Sequence, residues 1–363
     1  MILVASAEFT LKSSAVRRTL EQRLIDDLKT ALTRAGMGNF SVEKHAARIV
    51  IRGVTEARLG AKCCARVFGV AYAAPGVVFP LSKEGILNTI AKVADEALSP
   101  GQSFAIRAHR STSSHLSRRE IEVQGGSEVL RALKDRGVTV DLNQPDMTIF
   151  VDLADDRAYV YRERLQGPGG LPLSSQWKML AVLDSGPLTL LAAFAMMRRG
   201  CLVELLIPVS ESIPSFARDS QLGIARRLRE LVTRTNYRAF LVEFEDLVRE
   251  QALINSSQLD FPKRLVREAA IKFAIARKFR GIIFADVGGE IVSKQRMAGI
   301  AQIPVLYPLI GLEKEDLIEL CREAGIPEDL LSKEDYTHAE RTLVVGVSSI
   351  ERPVEMVVKE ISL

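Results

Sequence analysis

The alternation of apolar and polar positions in the first 76 residues predicts a small unit of strands and amphipathic helices. In chain order the pattern predicts a strand, a helix, two strands, a second helix and an apolar segment, at 2–6, 14–35, 40–43, 48–52, 56–67 and 70–74. This order of elements is typical of an α+β unit with a ferredoxin-like arrangement. We therefore expect the first domain at residues 1–76.

A second α+β unit is predicted at residues 77–165, where helices again alternate with strands. The pattern indicates helices at 83–98 and 117–136 and strands at 103–108, 138–142, 147–152 and 157–161. Residues 166–174 are predicted to be a linker, because three glycines and two prolines fall within 166–172.

From residue 175 to residue 363, short apolar strands alternate with helices, which predicts a parallel α/β sheet. The strands are expected at 179–183, 202–208, 237–243, 281–285 and 305–309, and the helices at 190–199, 220–233, 262–279 and 314–324. Ligands of such sheets bind beyond the carboxyl ends of the strands. We expect the loops after residues 183 and 285 to meet at that edge.

The first of these loops connects a buried strand to a helix, which is a common anion site. Its candidate nucleotide-binding residues are Asp184, Ser185, Gly186 and Thr189. A cap without any nucleotide is the alternative, because Asp184 or Ser185 can cap the helix and proline suits a first turn. The second loop adds Gly289, Glu290, Ser293 and Gln295 as candidates.

Acidic residues also collect at this edge. Asp184, Asp286 and Glu290 form either a cluster able to hold Mg²⁺ or a set of helix caps and loop contacts, and we assign no metal site to them. The four histidines show no triad or zinc spacing, so no catalytic residue is assigned either.

The basic residues of the first two units are the candidate RNA contacts. They are Lys12, Arg17, Arg18, Arg107, His109, Arg110, Arg118 and Arg119. Such a cluster binds phosphates or is simply a solvated face, and the net charge of +4 does not decide between the two. With 6% aromatic residues and no Phe or Tyr cluster among the arginines, we expect recognition of shape and backbone rather than base stacking.

Several short motifs carry a resemblance to a known family. They are Glu-Phe-Thr-Leu-Lys-Ser at 8–13, Val-Phe-Gly-Val at 67–70, Asp-Leu-x-x-Pro-Asp at 141–146 and Gly-Pro-Gly-Gly-Leu-Pro at 167–172. The chain resembles the tRNA 4-thiouridine synthetases (ThiI-like proteins) over almost its whole length. The resemblance implies a ferredoxin-like domain at 1–76, a THUMP domain at 77–165 and a PP-loop α/β domain at 175–363.

The resemblance also implies binding of the tRNA acceptor end, use of ATP with Mg²⁺, and dimers in some members. The family's phosphate loop is Ser-Gly-Gly-x-Asp-Ser, and its acidic residue corresponds here to Leu188. The family's sulfur-carrying cysteine lies just before the helix predicted at 262, where residues 258–264 contain no thiol. Both departures affect the family's chemistry, because the acid helps to organise the nucleotide and its metal and the cysteine carries the sulfur.

Two hypotheses follow from these departures. The first is a tRNA-binding protein with lost or altered adenylation and thiolation. The second is an active ATP-dependent tRNA-modifying enzyme that uses a remodelled loop and an external sulfur donor.

The cysteines and the amino-terminal residues indicate where the protein works. Four cysteines without a Cys-x-x-Cys pair are typical of reduced thiols in a cytoplasmic protein, and we expect Cys201 and Cys321 to be buried. Residues 1–8 lack the basic leader of a signal peptide, and no apolar run reaches membrane-spanning length.

Overall fold

A computed structural model describes residues 1–7, 12–45, 48–110, 116–154, 156–209, 215–233, 237–243, 263–287, 303–328 and 357–361. The chain forms two compact units, Met1–Gly169 and Gly170–Leu363. Each unit has its own β-sheet, with helices packed against it.

The first unit is built on a nine-stranded sheet. Its strands are β1 (Ile2–Ser6), β2 (Ser41–His45), β3 (Arg48–Arg52), β4 (Val70–Pro80), β5 (Ser103–Arg110), β6 (Thr139–Val140), β7 (Met147–Leu153), β8 (Arg157–Tyr161) and β9 (Leu165–Gln166). The order across the sheet is β2-β3-β1-β4-β8-β7-β5-β6, and β9 also pairs with β4. The ferredoxin-like and THUMP parts therefore share one sheet.

Strand β4 connects the two parts because it is longer than the sequence pattern predicts. Its first half pairs with β1, and its second half pairs with β8 from Gly76 to Pro80. Gly76 permits this second pairing, since a Cβ there would lie 2.6 Å from the carbonyl oxygen of Val160. The predicted end at residue 74 was wrong, because pairing with β8 extends the strand through the junction.

Four helices pack on this sheet: α1 (Ser14–Arg34), α2 (Ala57–Cys64), α3 (Lys83–Ala97) and α4 (Arg118–Ala132). The helix predicted to reach residue 136 ends at Ala132 and is followed by a 3₁₀ turn, Lys134–Arg136. In that turn the Arg136 guanidinium donates to the carbonyl oxygens of Asp95 and Leu98, at 2.8 and 3.1 Å. These hydrogen bonds hold the turn against the end of α3. The strand predicted at 138–142 is shorter in the structure, where it forms β6.

The second unit contains a six-stranded sheet in the order β14-β13-β10-β11-β12-β15. The strands are β10 (Lys178–Val182), β11 (Leu202–Val209), β12 (Ala239–Glu243), β13 (Ile282–Ile283), β14 (Val305–Leu306) and β15 (Val357–Ile361). The first five pair in parallel, which confirms the predicted α/β sheet, whereas β15 joins β12 antiparallel at the edge.

The helices of this unit are α5 (Leu188–Arg198), α6 (Ser215–Leu231), α7 (Lys263–Ala276) and α8 (Lys314–Ala324). Helix α5 is apolar on nearly every side, which is typical of a helix buried in a core. It ends as predicted before Gly200, whose φ of 86° is in the left-handed region. Among the described residues, no helix is long and apolar enough to cross a membrane.

Candidate functional site

The loop between β10 and α5 lies at the carboxyl end of the parallel sheet, where the sequence predicted a nucleotide. Gly186 has a φ of 53°, a left-handed conformation that glycine tolerates without strain. The side chain of Thr189 is 1% exposed, and its hydroxyl donates to the carbonyl oxygen of Val182 at 3.3 Å. The Thr189 hydroxyl, which was predicted to contact a phosphate, therefore donates to the end of strand β10 instead.

Neither Asp184 nor Ser185 caps helix α5. The residue that precedes the helix is Pro187, with no side-chain capping bond, so the capping alternative was wrong. Instead the Ser185 hydroxyl donates to Oδ1 of Asp184 at 3.0 Å. The other Asp184 oxygen turns toward a residue 83 positions further along the chain.

That residue is Arg267, on helix α7. Its Nε donates to Oδ2 of Asp184 at 2.8 Å, and its Nη2 lies 2.8 Å from Oδ1 and 2.7 Å from Oδ2 of Asp286. The side chains of Arg267, Asp184 and Asp286 are only 3%, 3% and 8% exposed. The site therefore holds a buried guanidinium between two carboxylates, and we call these three residues the arginine triad.

Opposite charges hold the triad together. Burial alone would lower the pKa of Arg267, but the negative charges of Asp184 and Asp286 raise it above its ordinary value. The guanidinium also lies over the ring of Phe284, 4.5 Å from the ring centroid. Burial raises the pKa of the nearby Tyr307 hydroxyl above its ordinary value.

Two of the three members of the predicted acidic cluster lie together in the structure. They contact an arginine, and the predicted alternative was a bound Mg²⁺. Asp184 and Asp286 meet at the strand ends, but a cation of the chain already lies between them. Within the described ranges, no group of three or more His, Cys, Asp or Glu side chains is placed to hold a metal ion. Gly289, Glu290, Ser293 and Gln295 lie outside the described residues, as does most of the segment 258–264.

The loop does not fit a nucleotide phosphate in the manner of the family motif. Pro187 has no N–H to donate, and Leu188 is 4% exposed with no charge to organise a metal. The Asp184 carboxylate also adds negative charge at this position. Arg267 contributes a positive charge beside the loop, but both carboxylates already share its donors.

Arg267 was missed at the sequence level, although a signal for it exists. Buried apolar residues of α7 follow Arg267 at helical spacing, at Ala270, Ile271 and Ala274, so the arginine lies on the apolar stripe. A charged residue on such a stripe needs a buried partner. The pattern indicates that a partner exists, but it does not identify which carboxylate.

The basic residues predicted to contact RNA are all exposed in the first unit. They occupy three elements. Lys12, Arg17 and Arg18 lie before and within the first turn of α1, Arg107, His109 and Arg110 lie on β5, and Arg118 and Arg119 begin α4.

Glu122 joins the second and third of these groups. One of its oxygens, Oε1, accepts from the Arg118 Nε and from the backbone N–H of Ala108, both at 3.0 Å. This brings the end of β5 beside the start of α4. Arg107 and His109 alternate along β5 with Ile106 and Ala108, which pack in the core with α4, so these two basic residues lie on the other face of the strand. The α1 group belongs to a different helix, on the ferredoxin-like part of the sheet.

Tertiary contacts also create an aromatic cluster that the sequence pattern does not indicate. The Arg164 guanidinium lies 3.8 Å from the Phe150 ring centroid and 4.8 Å from that of Tyr72. The Phe150 and Tyr161 rings stack with centroids 5.3 Å apart, and Arg164 donates to the Tyr161 hydroxyl at 2.9 Å. This cluster surrounds Arg164 rather than the arginines predicted to contact RNA, and its members come from three separate strands and a loop.

The cysteines agree with the expectation of buried thiols. All four are free, and Cys64, Cys201 and Cys321 are buried. Burial raises the pKa of all four thiols, including the half-buried Cys63. A raised pKa lowers the fraction of reactive thiolate at neutral pH.

The architecture defines a class of protein: a ferredoxin-like and THUMP-type sheet followed by a parallel α/β domain of the PP-loop type. Three family models match in the same order. They are the ThiI ferredoxin-like domain at residues 1–74, the THUMP domain at 82–163 and the thiamine biosynthesis protein (ThiI) model at 174–358. The chain belongs to the ThiI family, whose curated members are the tRNA sulfurtransferases.

Individual relatives cover nearly the same length. The probable tRNA sulfurtransferase of Thermococcus kodakarensis is 28% identical over 91% of this chain and 90% of its own. That of Methanosarcina mazei is 27% identical over 90% of this chain and 82% of its own.

Solved structures show the same fold. PH1313 from Pyrococcus horikoshii superposes with a TM-score of 0.67 at 23% identity, over 90% of this chain and 99% of its own. A 4-thiouridine synthetase, solved in complex with RNA and with bound ATP, gives a TM-score of 0.65 at 19% identity, over 93% and 86%.

Proposed function

We propose that this chain is a tRNA-binding member of the tRNA sulfurtransferase family that has lost the family's ATP-dependent adenylation. The observation that carries the proposal is the arginine triad, which takes up both strand-end carboxylates at the predicted nucleotide site. The proposed tRNA contacts lie in the first unit, and the α/β domain serves as a scaffold or partner platform.

The loss of adenylation is supported by the loop itself. A phosphate is bound by backbone N–H groups, a positive charge or a metal. Here Pro187 supplies no N–H, Leu188 replaces the acid, and the Thr189 hydroxyl is engaged by Val182. The sequence at 258–264 also contains no thiol to carry sulfur.

The binding of tRNA is supported by the exposed basic residues at the end of β5 and the start of α4. Phosphate contacts from clustered arginines provide most of the non-specific affinity for nucleic acid. The THUMP domain is present, and a structural neighbour with this domain order was solved in complex with RNA. We expect the acceptor end of the tRNA to be the bound region.

The test is pyrophosphate release from Mg²⁺ and ATP, measured with and without unmodified tRNA, together with a salt titration of tRNA binding. We expect tRNA binding that weakens linearly on a log–log plot against salt, and no release above a buffer blank. An active tRNA sulfurtransferase of the family serves as the positive control. Release that requires tRNA would establish the alternative, an active enzyme with a remodelled loop and an external sulfur donor.

Two further expectations remain to be measured. A homodimer would be detected by light scattering of the purified chain. A cytoplasmic location would be checked by fractionation of the source cells.

A further inference from the structure

The predicted nucleotide site lies between two adjacent parallel strands. Strands β10 and β13 pair directly, with Leu180 opposite Ile282 and Ala181 opposite Ile283. Asp184 and Asp286 follow the carboxyl ends of these strands, at the edge where α/β sheets bind their ligands. Two carboxylates so placed offer oxygen ligands of the kind that Mg²⁺ and Mn²⁺ prefer.

Arg267 already fills the space that such a cation would take. Its Nε and Nη2 reach one carboxylate each, at 2.8 Å, so the guanidinium bridges Asp184 and Asp286 as a divalent ion would. We propose that Arg267 is a built-in counterion that replaces a divalent cation between these carboxylates and closes the site to a metal–nucleotide complex. This inference deepens the proposed function and rests on it only for the location of the site.

Displacement of Arg267 by a metal is unfavourable because the side chain is buried. Its exposed fraction is 3%, and its guanidinium packs over Phe284. A metal that took both carboxylates would leave this charge buried and unpaired, and an uncompensated buried charge is strongly destabilising. A metal that entered beside Arg267 would face a positive charge instead.

Ser185 completes the arrangement on the loop side. Its hydroxyl donates to Oδ1 of Asp184, whereas Arg267 takes Oδ2. Both oxygens of this carboxylate are therefore satisfied by groups of the chain itself.

The experiment compares metal-dependent thermal stability in three forms of the full chain. The wild type, Arg267→Met, and a triple variant with Asp184→Asn, Arg267→Met and Asp286→Asn are each melted in EDTA, in millimolar Mg²⁺ or Mn²⁺, and in Mg²⁺ with ATP. The wild type is expected to keep the same Tm in all conditions. Arg267→Met is expected to gain about 2–4 °C or more with Mn²⁺, because removal of the guanidinium leaves two carboxylates to bind the metal.

The triple variant is the matched control, since it carries the same Arg267→Met change but lacks both carboxylates. It is expected to fold and to show no metal response. If Arg267→Met is unfolded in EDTA, Mn²⁺ added during refolding should recover it. Failure of Mn²⁺ to stabilise or recover this variant would overturn the proposal, as would an equal response in the triple variant.

The wild type provides an independent test of the proposal. A rise in its Tm with Mg²⁺ or with Mg²⁺ and ATP, lost in Asp184→Asn, would show that a cation enters despite Arg267 and would overturn the proposal. Failure of the proposed function is seen separately as absent tRNA binding, which does not depend on the metal response of Arg267→Met. Pyrophosphate release that requires tRNA would overturn both the proposed function and the closure of the site by Arg267.

Discussion

The second unit has a buried ion-pair cluster at each end of its parallel sheet, and the central charge is negative at one end and positive at the other. At the amino end, the carboxylate of Glu204 lies between two cations, 3.1 Å from Lys178 Nζ and 3.2 Å from Arg238 Nε. At the carboxyl end, Arg267 lies between two carboxylates. One cluster has a single anion with two cations, and the other has a single cation with two anions.

The clusters also differ in access to water. The side chains of Lys178 and Arg238 are 30% and 39% exposed, so the charges around Glu204 extend toward solvent. All three members of the arginine triad are 8% exposed or less. The amino-end cluster is thus partly solvated, whereas the carboxyl-end cluster is buried at the edge where ligands of this fold class bind.

The largest effect on stability is expected for Arg267→Met. Removal of the guanidinium leaves two buried carboxylates without their partner, which lowers the free energy of unfolding by about 3–5 kcal/mol. Urea unfolding of the variant and the wild type in EDTA measures the difference. A loss below the experimental error would mean that water reaches the triad and that the contrast with Glu204 is false.

A smaller loss is expected for Glu204→Gln, about 1–3 kcal/mol, because the two cations that lose their partner are partly solvated. The variant keeps the shape of the side chain, so the change reports charge rather than packing. The same urea titration applies. If this variant proves less stable than Arg267→Met, the amino-end cluster is the more tightly buried of the two.

Substitution of exposed arginines in the first unit should affect tRNA binding rather than the free energy of unfolding. Each of Arg110→Ala and Arg119→Ala is expected to change the free energy of unfolding by less than about 0.5 kcal/mol. Each should also reduce the salt-dependence slope of tRNA binding by about 0.7–0.9 for every phosphate that the side chain neutralises in the wild type. Filter binding across a salt series measures this.

Arg131→Ala is the matched control for these variants. Arg131 is an exposed arginine of the same helix α4, paired with Glu128 three residues before it and distant in sequence from the basic group. An equal loss of tRNA affinity in Arg131→Ala would mean that total charge, rather than the group near Glu122, drives binding.

The smallest effect concerns the pH dependence of the turn at 141–146. The Asp146 carboxylate accepts from the backbone N–H and the hydroxyl of Ser103, both at 2.8 Å, and these bonds lower its pKa below the ordinary 3.8. The folded state then binds this proton more weakly than the unfolded state. The contribution to stability is therefore present above pH 3.8 and is lost as the pH falls through the lower folded pKa.

Asp146→Asn should remove that part of the acid sensitivity. The variant is expected to be slightly less stable than the wild type near neutral pH and to converge with it at acid pH. Thermal melts over a pH series detect the convergence. A constant difference at all pH values would show that the carboxylate charge does not contribute.

Local patterns were sufficient for most of the fold. The alternation of apolar residues located the strands at 2–6, 48–52 and 157–161, and the glycine at 200 ended α5. Sequence patterns were insufficient where an element continues by pairing with a distant partner. Strand β4 runs on past residue 74 because β8, more than 75 positions further along the chain, offers hydrogen bonds to its second half.

The sequence predicted where the candidate site lies, but it did not predict which residue pairs with its two carboxylates. The strand-to-helix loop placed Asp184 and Asp286 at one edge, because parallel strands end together. The partner of these carboxylates could not be identified, since an arginine on an apolar stripe is compatible with any buried acid. The aromatic cluster around Arg164 was missed for the same reason, as its rings come from separate strands.

By itself, the sequence determined the order of the domains, the family and the absence of the phosphate-loop acid and of a thiol at 258–264, because these depend on residue identity and local spacing. The tertiary structure alone decided what the remaining polar groups do. Asp184 faces Arg267 across 83 positions, and only the packing of α7 against the sheet brings them within 2.8 Å. Charge pairing in a buried site depends on distance in space, which local sequence patterns do not encode.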